Sequence, residues 1–186
     1  MYAALTLTLF RLALAPAVLL LLHLGVSAAV FALLLVAGFA SDVLDGVVAR
    51  RAGAATPLLR RLDSAVDIVF YLSIAWAAWR LHPSSLRALK LPILLVVAGE
   101  IVNQGAALLK YGREPSYHAW SARVWGLLLF LSFFVLLGFG WPDLLAVALA
   151  AGLLAQLESL AMTLVLPTWH HDVPTIRHAW RLRTPA

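Results

Sequence analysis

The sequence predicts an all-α membrane protein with six transmembrane helices and both termini in the cytoplasm. Three observations lead there. Of its 186 residues, 63% are hydrophobic and only 12% charged, against about 45–50% and about 25% in a typical soluble domain. A water-soluble fold of this size cannot hide that much apolar surface, so lipid is the solvent for most of it. The apolar residues also fall into six stretches near the roughly 20 residues that cross a bilayer. Finally, the basic residues lie unevenly between those stretches.

The expected spans, in order, are Leu5–Leu22, Val26–Ala49, Leu62–Leu81, Leu86–Leu109, Ala119–Gly140 and Leu144–Val165. Span 1 meets span 2 at the short turn His23-Leu24-Gly25. Met1 to Phe10 carries no basic side chain, so this opening is read as a span rather than a cleaved leader. Pro83, Pro115, Pro142 and Pro167 each lie just outside a span, where proline ends helices. Residues 1–166 are expected to form one membrane domain, and 167–186 a short, basic, cytoplasmic tail. Arg50, Arg51, Arg60, Arg61, Lys110, Arg113, Arg123, Arg177, Arg181 and Arg183 share one side with both termini; Arg80, Arg87 and Lys90 lie on the other. Positive residues stay inside, which makes the first side cytoplasmic in a multi-pass cell membrane protein.

The net charge is +5. Because the bases cluster between apolar stretches, the expected partners are anionic lipid headgroups and phosphorylated substrates, not nucleic acid. The chain has no cysteine, which excludes disulfides and thiolate metal ligands.

The informative residues are acids. Each charge placed in a span costs about 2.5–3.5 kcal/mol on insertion scales. Yet Asp42 and Asp45 lie near the end of span 2, and Asp63 and Asp67 near the start of span 3. Spacings of three and four put each pair on one helical face. Residues 50–61 join the spans, so the two pairs are expected to face each other at one depth. Gly46 and Ala49 extend the first stripe and leave space for close approach. On span 3 the stripe reads Arg60, Asp63, Asp67, Tyr71. Helix capping does not account for Asp42 and Asp45, which sit at the end that disfavours negative charge. Four converging carboxylates need protons or cations among them. An all-oxygen set suits Mg²⁺ or Mn²⁺, with substrate phosphates completing the coordination and nearby arginines pairing with them.

The run Asp42-Val-Leu-Asp45-Gly46-Val-Val-Ala49-Arg50, followed by Asp63-Ser-Ala-Val-Asp67, resembles the signature of the CDP-alcohol phosphatidyltransferases. That signature reads D-x-x-D-G-x-x-A-R, about eight residues, then G-x-x-x-D-x-x-x-D, as the family pattern has it. One fixed position departs, because the second glycine is Leu59 here. Leucine adds bulk and removes backbone freedom, so the donor pocket is expected to differ at this point. The resemblance implies transfer of a phosphatidyl group from CDP-diacylglycerol to a small polar alcohol, with release of CMP. It implies two divalent metal ions: Asp42, Asp45 and Asp63 would hold one, and Asp42, Asp63 and Asp67 the other. Asp67 would also be the general base, Gly46, Ala49 and Arg50 would line the CDP pocket, and a homodimer is typical of the family.

Glu100, Asn103, Gln104 and Lys110 form a polar stripe on span 4, read either as an acceptor cavity or as interhelical hydrogen bonding. Lys110, Arg113, His118 and Arg123 are the candidates for binding a phosphate on the acceptor. The opening LTLTLFRLALAP resembles the start of phosphatidylglycerophosphate synthases through Thr6, Thr8, Arg11 and Pro16, which makes glycerol 3-phosphate the first acceptor. Inositol phosphate, serine and phosphatidylglycerol are alternatives. Two other classes compete: an ion-coupled transporter, and a catalytically impaired lipid-binding relative. A transporter site belongs near the midplane, often between repeats, whereas these acids lie at one surface and no repeat is visible.

Overall fold

The computed structural model describes residues 2–52 and 57–183, with side chains at 5–44, 62–63 and 65–183. Eight helices make up the described chain: α1 (Tyr2–His23), α2 (Ala28–Ala52), α3 (Pro57–Leu81), α4 (Pro83–Ala88), α5 (Lys90–Tyr111), α6 (Trp120–Phe139), α7 (Asp143–Val165) and α8 (Ile176–Arg183). Among the described residues no strand forms, and the single bridge pairs Ser116 with His171. Among the described residues, four segments are long and apolar enough to cross a membrane: Leu5–His23, α5, α6 and α7. Between them, α2 has an apolar run over Ala28–Leu44, and both α2 and α3 carry the acidic pairs.

The helix ends follow local chemistry. After α1 the chain reverses at Gly25, whose φ of 69° falls in the left-handed region open to glycine. At the far end of α5, Gly112 (φ 66°) is the left-handed cap, and its N–H closes on Leu108 O. The expected fourth span is interrupted at Leu89. Pro92 lacks the N–H that would reach the carbonyl of Ala88, so α4 ends there and a new helix starts at Lys90, with the proline in its first turn. The expected connection between spans 2 and 3 is also shorter than its twelve residues, since α2 runs on to Ala52 and α3 begins at Pro57. Residues 53–56 lie outside the described residues.

The chain divides into two compact units. The first holds residues 1–83 and 133–141, with α1 packed on both α2 and α3. Its core is Val18, Phe31, Leu35, Phe70, Ile74, Ala77 and Leu136. Gly38 is the close approach between α2 and α3: a methyl group there would overlap the ring of Phe70, which is fully buried. One turn beyond Gly38 stands Asp42, and one turn before Phe70 stands Asp67. The glycine–phenylalanine contact therefore sets the register that brings those acids level.

The second unit holds residues 84–132 and 142–186, in which α5 packs on α7 and α7 on α8. Asn103 Nδ2 donates to Gly99 O (3.0 Å) and across to Gln156 O (3.1 Å), while Gln156 Nε2 donates back to Val96 O (2.8 Å). This reciprocal clamp pairs the N–H donors of both amides across the two helices, while Asn103 Oδ1 and Gln156 Oε1 stay buried without a hydrogen-bond partner among the described residues. Gly152 lies under Trp125, whose Nε1 would be 2.5 Å from an added methyl. The segment after Pro167 is packed against the unit. Asp172 N–H donates to Ser116 O, Trp120 N–H donates to Pro174 O, and Val173 and Ala179 join Tyr117, Ala119, Met162 and Leu166 in one core cluster.

Candidate functional site

The first unit gathers three of the four predicted carboxylates. Asp42 comes from α2, and Asp63 and Asp67 from successive turns of α3; one oxygen from each lies within 4.8 Å of the others. The three side chains are 38%, 32% and 27% exposed, so the cluster opens to one side. Such a group of hard oxygens could hold a metal ion. The side chains of Asp45, Gly46, Ala49, Arg50 and Leu59 lie outside the described residues.

The closed side of the cluster is made by α1, which the sequence reading left without a role in it. Arg11 is fully buried, and its Nη1 reaches all three carboxylates: Asp42 Oδ1 at 3.5 Å, Asp63 Oδ1 at 3.2 Å, and Asp67 Oδ1 in the closest contact. Its Nε donates to Ser41 Oγ (3.2 Å), and that hydroxyl donates to Gly38 O (2.7 Å). One turn before Arg11, the hydroxyl of Thr8 donates to Asp63 Oδ1 at 3.4 Å. Thr8, Arg11 and Ser41 are all buried. A signal for Arg11 was present, since a lone charge inside an apolar span has a function by default. Its partners could not be named before α1 was known to pack on α3.

The acceptor candidates lie in the second unit, and each is engaged locally. Lys110 Nζ donates to the carbonyls of Thr163 (2.8 Å) and Leu164 (2.9 Å), two of the orphan carbonyls in the last turn of α7. Tyr111 OH lies 2.8 Å from both Thr163 O and Leu166 O, which share its one donor proton. The Arg113 guanidinium stacks on Trp169 at 5.3 Å, and that of Arg123 on Trp120 at 5.0 Å. His118, at φ 50°, lies 3.4 Å from Ser116 Oγ through Nε2. Of the polar stripe on span 4, Asn103 forms the interhelical clamp and Gln104 pairs with Glu100 (2.8 Å).

Compared with known families, residues 1–169 match the model described as CDP-alcohol phosphatidyltransferase. Neither the curated proteins nor the solved structures include a match to the chain.

Proposed function

We propose that this chain, which belongs to the CDP-alcohol phosphatidyltransferase family, moves the phosphatidyl group of CDP-diacylglycerol to glycerol 3-phosphate and releases CMP. The family makes it a transferase of phospholipid biosynthesis, and its apolar helices make it a multi-pass membrane protein. The observation that carries the proposal is the convergence of Asp42, Asp63 and Asp67 from two helices onto one open-sided cluster.

In this reading Asp42, Asp45 and Asp63 would hold one divalent ion, and Asp42, Asp63 and Asp67 would hold a second, both Mg²⁺ or Mn²⁺. When bound, such ions neutralise a diphosphate and polarise its phosphorus. The chain's own residues do the rest. Asp67 takes the proton from the acceptor hydroxyl as its oxygen bonds to the phosphatidyl phosphorus. The bond from that phosphorus to the CMP oxygen breaks, and CMP leaves with the electron pair. Gly46 and Ala49 leave room for the nucleotide, and Arg50 pairs with its phosphate oxygens. For a phosphate on the acceptor the candidates are those of the sequence, Lys110, Arg113, His118 and Arg123; the guanidinium groups of Arg113 and Arg123, stacked on aromatic faces, keep an N–H edge for an anion. With six spans and more basic residues on the side of the termini, the site faces the cytoplasm.

The test is CMP release by the purified chain given CDP-diacylglycerol and Mg²⁺ or Mn²⁺. Glycerol 3-phosphate, inositol phosphate, inositol, serine and phosphatidylglycerol are supplied in turn. Release with glycerol 3-phosphate alone supports the full proposal. Release with another acceptor keeps the reaction and replaces the acceptor. No release with any acceptor overturns the proposal.

A further inference from the structure

We propose that Arg11 is a built-in rival of the metal: its guanidinium offsets part of the charge of the aspartate cluster, and a divalent ion binds only by displacing it. The inference rests on the reading that Asp42, Asp63 and Asp67 hold a cation, and it concerns what that cation must displace.

One nitrogen, Nη1, contacts carboxylate oxygens from all three acids, and those acids are the metal-capable set. A hard cation requires about 2.0–2.2 Å to the same groups. A guanidinium nitrogen and such an ion cannot both occupy that gap, because they carry the same sign and the nitrogen already sits where the three carboxylates converge. Arg11 is also built into place. It is fully buried, and its Nε is tied to Ser41, whose hydroxyl is in turn tied to the α2 backbone. Nη1 is the edge that turns toward the acids.

The arrangement has a physical purpose. Carboxylates clustered in an apolar bundle repel one another and need a counter-charge while the chain inserts and folds. Arg11, supplied from the first helix, meets part of that need before any ion binds. The consequence is that metal affinity is set by competition. Taking away the guanidinium should tighten metal binding and weaken the protein that holds no metal. A residue that merely shaped the carboxylates for the ion would behave in the opposite way.

The experiment measures Mn²⁺ affinity of the full chain in detergent micelles, from the electron paramagnetic resonance of free Mn²⁺. Thermal unfolding is followed with and without Mn²⁺. Arg11→Gln is expected to bind Mn²⁺ at least about tenfold more tightly than wild type, because a positive charge in contact with the ion is gone. Its unfolding midpoint without metal should fall, and the rise on adding Mn²⁺ should grow. Ser41→Ala keeps every charge and loosens only the Arg11 tether. It should tighten binding by about two- to fivefold, and it decides the question alone should Arg11→Gln fail to fold. Unchanged or weaker Mn²⁺ binding in the folded variants, beside clear binding by wild type, overturns the competition and leaves the metal reading intact. Absence of Mn²⁺ binding by wild type and variants alike overturns the metal reading, and the competition with it.

Discussion

Gly38→Ala tests how the fold sets the spacing of the acids. The new methyl would overlap two carbons of the Phe70 ring and lie 3.1 Å from a third. Phe70 is fully buried, so its ring has no exit into open space. Overpacking of this kind costs about 1–3 kcal/mol. Alanine recovers up to about 1 kcal/mol of helix propensity over glycine. A net loss of roughly 1–2 kcal/mol follows, together with displacement of α2 from α3. Asp42 lies one turn from the overlap on α2 and Asp67 one turn from it on α3, so a displacement there separates their carboxylates. Phe70→Leu alone should open a cavity costing about 1–2 kcal/mol. In the double variant the two losses should partly cancel, with a coupling of about 1–2 kcal/mol. The assay is the thermal unfolding midpoint of all four proteins in micelles, with Mn²⁺ affinity measured beside it. If Gly38→Ala unfolds and binds Mn²⁺ as wild type does, or if the two losses simply add, the Gly38–Phe70 contact does not set the register of the acids.

Further outcomes concern chemistry and packing. Asp67→Asn should keep metal-dependent binding of the donor and lose about 10²–10⁴ in turnover, checked by donor binding and CMP release; full activity would remove Asp67 as the base. Arg113→Ala should raise KM for glycerol 3-phosphate by about tenfold or more, with a smaller change in kcat, as loss of a charge-assisted hydrogen bond predicts. Leu59→Gly restores the family's residue at the one departing position, and a large gain in CMP release would identify Leu59 as a constraint on the donor pocket. Glu158 accepts from Ser121 Oγ (2.5 Å) and from the N–H of Ile176 at the start of α8 (3.0 Å). Glu158→Ala should cost about 0.5–2 kcal/mol, as loss of a helix cap does, and should hasten tryptic cleavage after Arg177 and Arg181.

Much of the architecture was legible because lipid imposes simple rules. Long apolar runs and prolines at their edges located the helices to within a few residues. Leu89 shows the limit. The run over 86–109 looks continuous in hydropathy, and only the missing N–H of Pro92 breaks it. The acids were legible for the opposite reason, since charge in an apolar helix is costly and spacings of three and four place it on one face. The side chains around them depend on which helices touch. Arg11 stands in the first helix and its acidic partners in the second and third, and nothing local to residues 5–22 names them. The Asn103–Gln156 clamp likewise needs α5 and α7 side by side. The tail read as short, polar and basic, but its apolar residues Val173 and Ala179 find partners only once Tyr117 and Met162 are in place.

The most direct measurement is CMP release from CDP-diacylglycerol and glycerol 3-phosphate, made with Mg²⁺ or Mn²⁺ present and again after chelation, for wild type and Asp42→Asn. The account predicts CMP from wild type with the cation alone, and none from Asp42→Asn under either condition. Equal release after chelation, or undiminished release by Asp42→Asn, would contradict it.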